Sequence, residues 1–142
     1  MHRKIAKISF ILSHLALALI FIWFGSLKFF GISPANELVD ELLQVTLPFI
    51  SFDVFIIFLA TVEVLIGILF LIPRMERIAI TILVIHMFTT ILPLFLLPSI
   101  VWQGFFLPTL EGQYIIKNFV LVALAIGILV DLRSFDHSKI LS

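Results

Sequence analysis

The sequence predicts an all-α integral membrane protein, built as a bundle of four membrane-spanning helices in one domain. Of its 142 residues, 62% are hydrophobic and only 13% are charged, whereas a soluble domain needs far more polar surface. Four apolar stretches of about 19 to 23 residues can each cross a hydrocarbon core of roughly 30 Å. These stretches are residues 8–30, 52–72, 78–97 and 114–132.

Charge and cysteine content exclude several classes of function. The formal net charge is zero, so nothing in the composition indicates a nucleic-acid partner. The chain contains no cysteine, which excludes disulfides, thiol redox chemistry and Cys-ligated metal centres. We therefore predict no intrinsic cofactor and no metal site, and any redox role requires a bound molecule or a partner protein.

The basic residues predict that both termini lie in the cytoplasm. They precede the first span, follow the second and follow the fourth, which places them all on one side, as the positive-inside rule requires. The opening MHRKIAK resembles the start of a signal peptide, but the following run is too long, so we predict a retained first helix. The basic residues used are Arg3, Lys4, Lys7, Arg74, Arg77, Arg133 and Lys139.

The two outer connections have distinct patterns. In ANELVDELLQVTL, the apolar residues Leu38, Leu42, Val45 and Leu47 alternate with acidic and amide residues, which predicts a short amphipathic helix at the outer surface. The last connection is poor in charge and rich in aromatic residues. We expect this aromatic connection to pack at the outer interface.

Five ionisable residues lie within the predicted spans, where a charge is expensive and must face protein or a water-filled cavity. Glu63 is near the middle of the second span, and Ala60 and Gly67 share its helix face, so a partner helix can approach closely. His86, on the next antiparallel helix, lies at nearly the same depth by the helical rise. A Glu63–His86 pair is therefore predicted. The five residues are His14, Lys28, Glu63, His86 and Lys117.

The other three residues have simpler interpretations. Lys28 and Lys117 lie near the outer boundary, where each either snorkels to the interface or pairs with Asp53 or Glu111. His14 begins an inward stripe on the first helix and suits a neutral, hydrogen-bonded structural histidine. A haem held between His14 and His86 is conceivable from depth alone. The Glu63–His86 pair itself is either a structural clasp or part of a site for a quinone head group, a proton or a small polar ligand.

Three stretches resemble the DoxX-like family of small four-helix membrane proteins: FIWFGSLKFF, VEVLIGILFLIP and, most specifically, LEGQYIIKNFVLVALAIGI with its Lys117–Asn118 pair. The resemblance implies a multi-pass protein of the bacterial cytoplasmic membrane and directs attention to Lys28, Glu63 and Lys117. The family name comes from a subunit of a thiosulfate:quinone oxidoreductase, and other relatives are associated with oxidative stress. The resemblance does not transfer a reaction.

Two functions are therefore considered. The first is a redox- or oxidative-stress-associated subunit that binds a quinone-like or small polar ligand near Glu63 and His86, with electrons supplied by a redox partner protein. The alternative is a non-catalytic membrane scaffold or assembly factor. The sequence leaves enzymatic activity open, and its Gly and Ala residues permit a homo-oligomer within the lipid bilayer. The candidate site residues are Glu63, His86, Lys28, Lys117, Asn118 and His14.

Overall fold

The computed structural model describes the backbone of residues 2–140 and the side chains of residues 4–132. Within this part of the chain, helices account for most residues, and two short strands form an antiparallel pair. In chain order the elements are α1 (His2–Phe29), α2 (Asn36–Thr46), α3 (Phe52–Leu71), α4 (Glu76–Ile91), α5 (Pro93–Leu96), α6 (Pro98–Val101), β1 (Trp102–Gly104), β2 (Leu107–Pro108) and α7 (Leu110–Ile140).

Four helical segments of the described chain are long and apolar enough to cross a membrane: Lys4–Phe29, Phe52–Leu71, Glu76–Leu96 and Leu110–Leu132. They correspond to the four predicted spans, and they indicate a multi-pass membrane protein. The helices extend beyond the predicted limits at the start of α1 and at both ends of α7. The cytoplasmic location of the termini remains a prediction, and the side chains of Arg3, Arg133 and Lys139 lie outside the described residues.

The core is formed by one apolar face of each spanning helix. Leu17, Ile66, Leu83 and Ile128 come from α1, α3, α4 and α7 respectively, and each is at most 2% exposed. Large apolar side chains on the opposite faces, such as Phe88 at 70% exposure, are positioned to contact lipid. Lipid is as apolar as the core, so the hydrophobic effect does not drive these helices together inside the membrane. Close packing of their side chains stabilises the bundle instead.

Glycine and proline set the ends of the first two spans. Gly31 has a φ of +71°, and the backbone N–H groups of Gly31 and Ile32 donate to the carbonyls of Lys28 and Leu27. This is a Schellman motif, in which the left-handed residue is usually glycine. It ends α1 at Phe29, one residue beyond Lys28. Pro73 follows the C-cap residue Ile72 of α3, and a proline at this point cannot continue the helix.

The outer connections differ in detail from the predicted pattern. The predicted surface helix is present as α2, but its buried residue is Leu43, and Val45 is 56% exposed. The third span ends with the short helix α5, and the aromatic connection that follows contains α6 and the β1–β2 hairpin. Trp102 donates its indole N–H to the Leu94 carbonyl at 3.1 Å, which ties the hairpin to the end of the third span.

Helices α1 and α3 touch through glycine at two levels. A Cβ on Gly67 would lie 2.6 Å from Ile22 Cγ1 and 2.9 Å from the Ala18 carbonyl oxygen. A Cβ on Gly25 would lie 3.0 Å from the Ala60 carbonyl oxygen. Ala18, early in α1, lies against Gly67, late in α3, whereas Gly25, later in α1, lies against Ala60, earlier in α3. The two helices are therefore antiparallel. Their backbones approach as closely as small residues allow.

We predict that Gly67→Ala destabilises the protein, because the added methyl meets backbone atoms of α1 that cannot rotate away. Overpacking of this kind costs about 1–3 kcal/mol. Gly127→Ala is the matched control, since nothing lies within 4 Å of its Cβ position. Thermal unfolding in detergent, followed by circular dichroism, should show a lower midpoint for Gly67→Ala alone. Equal midpoints for the two variants would contradict the close α1–α3 contact.

Candidate functional site

Three ionisable side chains from three different helices meet in the bundle interior. Lys28 of α1 donates from Nζ to Glu63 Oε2 of α3 at 2.6 Å. His86 of α4 places Nε2 3.3 Å from Glu63 Oε1, close enough for an Nε2–H group to donate. The three residues are only 5–6% exposed. We refer to Lys28, Glu63 and His86 as the triad.

The α1–α3 packing explains how Glu63 comes to lie opposite Lys28. The face of α3 that carries Glu63 is the face that contacts Gly25, and the Glu63 Cβ itself lies 3.0 Å from the position of a Gly25 Cβ. Lys28 lies one helical turn further along the same face of α1. A larger residue at position 25 would separate the helices and move the two charges apart.

Side-chain direction completes the contact between Lys28 and Glu63. In a helix each Cα–Cβ bond tilts toward the N-terminus. Lys28 therefore points back along α1 into the bundle, and Glu63 points toward the start of the antiparallel α3. The long lysine stem then carries Nζ down to the carboxylate.

The electrostatics of the triad centre on Glu63. Each of its two carboxylate oxygens faces a nitrogen from a different helix. With Lys28 charged, Glu63 ionised and His86 neutral, the triad has no net charge. This balance matters because an uncompensated charge in a low-dielectric interior is far more costly than a paired one.

Apolar groups surround the triad on the side of the predicted cytoplasmic end. The Phe21 ring meets the His86 ring edge-on, with centroids 6.0 Å apart. Further along α1, Leu17 and Ala18 are almost completely buried. The triad therefore lies above a packed apolar layer rather than in a polar channel through the described bundle.

The structure brings together the Glu63–His86 pair that the depth count predicted. It also corrects the prediction for Lys28, which neither snorkels outward nor pairs with Asp53 or Glu111. Its 6% exposure and its contact with Glu63 show that a count of Cα depth misplaced the ammonium group. The depth count considered only Cα positions. The length and direction of the lysine side chain, taken together, would have indicated Glu63 as its partner.

The remaining candidate residues lie apart from the triad. Lys117 is exposed, and its Nζ lies 5.3 Å from the centroid of the Tyr114 ring, a cation–π distance. Asn118 is half-buried. His14 is buried, but its contacts are with Phe10, Phe70 and Glu76. None of these contacts includes a member of the triad. His14 and His86, which were considered as a pair of haem ligands from depth alone, therefore lie in separate surroundings.

Within the described residues, no group of three or more His, Cys, Asp or Glu side chains is placed to hold a metal ion. An open apolar groove of about 440 Å³ runs along the first half of α1 and reaches Leu124 of α7. Its lining contains Ser9 and Ser13 but no ionisable group, so its chemistry suits an acyl chain better than a polar head group. The chain matches no protein-family model, and searches of curated proteins and of solved structures gave no match.

We predict that Glu63→Leu destabilises the protein by about 3–5 kcal/mol, because it leaves the buried Lys28 cation without its counter-ion. Adding Lys28→Met to the same chain should recover most of that loss by removing the orphaned charge. Lys117→Met is the matched control for the lysine change, and its effect should stay within about 0.5 kcal/mol. Chemical unfolding in mixed micelles measures the free energies of unfolding of wild type, Glu63→Leu, Lys28→Met, the double variant and the Lys117→Met control. Strictly additive losses in the double variant would show that the two charges are not coupled.

Proposed function

We propose that this chain is a DoxX-like subunit of the bacterial cytoplasmic membrane, associated with redox or oxidative-stress chemistry, and that it binds a quinone-like ligand at the triad. The observation that supports this proposal is the meeting of Lys28, Glu63 and His86 at 5–6% exposure. Ionisable residues at this depth are rare, and they commonly mark ligand or proton sites.

The donor count of the triad supports an oxygen acceptor as the ligand. An ammonium group has three N–H donors, and the described contacts of Lys28 use one of them, to Glu63. A carbonyl oxygen of a quinone head group is a suitable acceptor for another. The Phe21 ring and the apolar residues around His86 would suit the ring of such a head group. A cationic ligand is disfavoured, because the Lys28 ammonium group would repel it.

Glu63 and His86 are suited to proton exchange with the bound ligand. His86 can give a proton from Nε2 or take one there, and Glu63 is within 3.3 Å to receive it. A proton taken from the ligand would first make the His86 ring an imidazolium beside the Glu63 carboxylate. Passing the Nε2 proton on to Glu63 would then leave both His86 and Glu63 neutral. Electrons would come from a redox partner protein, because a chain without cysteine has no thiol redox chemistry of its own.

We expect quinone to co-purify with the full chain extracted from its own membrane, and to be lost when the triad is altered. Lipid extracts of wild type, Glu63→Gln, His86→Ala and Lys28→Met would be compared by mass spectrometry. Lys117→Met and Thr61→Val are controls, because both residues are exposed and lie outside the triad. Loss of at least tenfold in the triad variants, with the controls at wild-type level, supports the site.

Equal quinone content in all six folded proteins would refute binding at the triad. In that case the quinone would have been carried with the surrounding membrane lipid and not held at the triad. Survival of cells under hypochlorite stress gives the second readout, and it should fall in the same three variants.

A second candidate function is a non-catalytic scaffold, and a different observation favours it. Both oxygens of Glu63 already face nitrogens from α1 and α4, so the triad also suits a clasp that holds three helices together. At the predicted outer surface, Val45 and Phe49 are 56% and 80% exposed, where a partner protein could contact them.

We predict for the scaffold that Val45→Asp releases a stoichiometric protein partner during purification, because a charge would enter an apolar contact. Leu43→Asp would instead disrupt folding, since Leu43 is 3% exposed, so it is unsuitable as a test. Gln44→Asp is the matched control on the same helix, where the residue is exposed and already polar. A clean monomer or homodimer with full stress resistance would rule out this role.

A further inference from the structure

A second polar site lies near the opposite end of the bundle from α2. His14 of α1 contacts the Phe10 ring on its own helix, with centroids 4.2 Å apart, and the Phe70 ring of α3 at 6.0 Å. From α4 it faces the Glu76 carboxylate. His14 is 9% exposed, so three helices enclose the imidazole.

The hydrogen bond of one ring nitrogen fixes the tautomer. His14 Nδ1 lies 2.7 Å from the Phe10 carbonyl oxygen. A carbonyl oxygen can only accept, so Nδ1 must carry the hydrogen and donate it. In the neutral imidazole, Nε2 is then a bare acceptor.

The other ring nitrogen lacks the partner that its chemistry requires. Among the described residues, His14 Nε2 is buried and has no hydrogen-bond partner. It faces Glu76 Oε1 at 3.9 Å, which is beyond hydrogen-bond distance. Two acceptors thus face each other across a narrow gap, and such a gap is satisfied by a positive charge between them.

We propose that this gap is a proton-binding site that latches α1 to the first turn of α4. A proton from the aqueous phase adds to the Nε2 lone pair, no other bond breaks, and the imidazolium then donates to Glu76. The contact would shorten to a charge-assisted hydrogen bond. This inference is independent of the proposed function, because His14 and Glu76 make no described contact with the triad.

The charged groups around the gap give the sign of the pH dependence. Glu76 is the charged side chain that faces His14, while α3 contributes the Phe70 ring. Arg74 and Arg77 adjoin Glu76 in the chain and are exposed, as are Lys7 of α1 and Asp131 of α7. A protonated His14 ring can donate to Glu76, whereas the neutral ring cannot. As the pH falls, wild type should therefore gain stability relative to a variant that lacks either partner.

The alternative occupant is a metal ion, because a ring N–H donated to a carbonyl also orients metal-binding histidines. The described residues offer no third His, Cys, Asp or Glu ligand near this pair, which favours the proton. The experiment distinguishes the two by a chelator.

The test compares unfolding midpoints of the full chain in detergent at pH 8 and pH 5.5. From pH 8 to pH 5.5, wild type should gain about 4 °C or more relative to Glu76→Gln and to His14→Gln. Glu111→Gln is the matched control, because it removes an exposed carboxylate from the first turn of α7, and it should follow wild type. Parallel pH curves for all four proteins would overturn the proposal. So would loss of the wild-type advantage in EDTA, which would assign the gap to a metal.

Nitrogen-15 NMR of the histidine rings tests the same site by the protonation state of the ring, and not by a difference in stability. The His14 signal, identified by its absence in His14→Gln, should show the Nδ1–H neutral form at pH 8 and a doubly protonated ring at pH 5.5. A neutral Nε2–H form at pH 8, or a ring that stays neutral at pH 5.5, would contradict the latch.

Discussion

A carboxylate buried among membrane-spanning helices is the constraint on which the rest of this structure depends. Glu63 cannot reach water, so its negative charge requires partners from neighbouring helices. Lys28 and His86 supply them from α1 and α4, at 2.6 Å and 3.3 Å. Three of the four spanning helices are thereby positioned around one side chain. Any ligand or proton that reaches this site meets a group that is already organised.

The small residues of α1 and α3 follow from the same constraint. Gly25 and Gly67 bring the two backbones close, and this proximity lets Lys28 reach the carboxylate from one turn away. Packing and electrostatics are therefore coupled along this interface. The triad and the His14–Glu76 gap lie at different levels of α1. The buried residues Leu17 and Ala18 lie between His14 and Lys28 in the sequence and separate the two polar sites.

The sequence allowed prediction of the spans, because length and apolar composition decide which segments cross a bilayer. It also allowed prediction of the Glu63–His86 contact, since both residues were counted from the same predicted membrane surface. The partner of Lys28 was missed because Cα depth ignores side-chain direction. The sequence analysis did not identify Leu43 as the buried residue of α2. A short amphipathic pattern does not define how the helix is rotated about its own axis, so it does not define which residue is buried. The β1–β2 hairpin had no alternating pattern long enough to indicate strands.

The most direct test of the central claim is the distance between Lys28 and Glu63 in a lipid bilayer. Solid-state NMR of the full chain, with ¹⁵N in lysine side chains and ¹³C in glutamate carboxylates, detects a dipolar coupling only when the two groups are in contact. We expect one strong Nζ–carboxylate coupling that disappears in Glu63→Gln and persists in Lys117→Met. A Lys28 ammonium without that coupling, exchanging freely with water at the interface, would contradict the account.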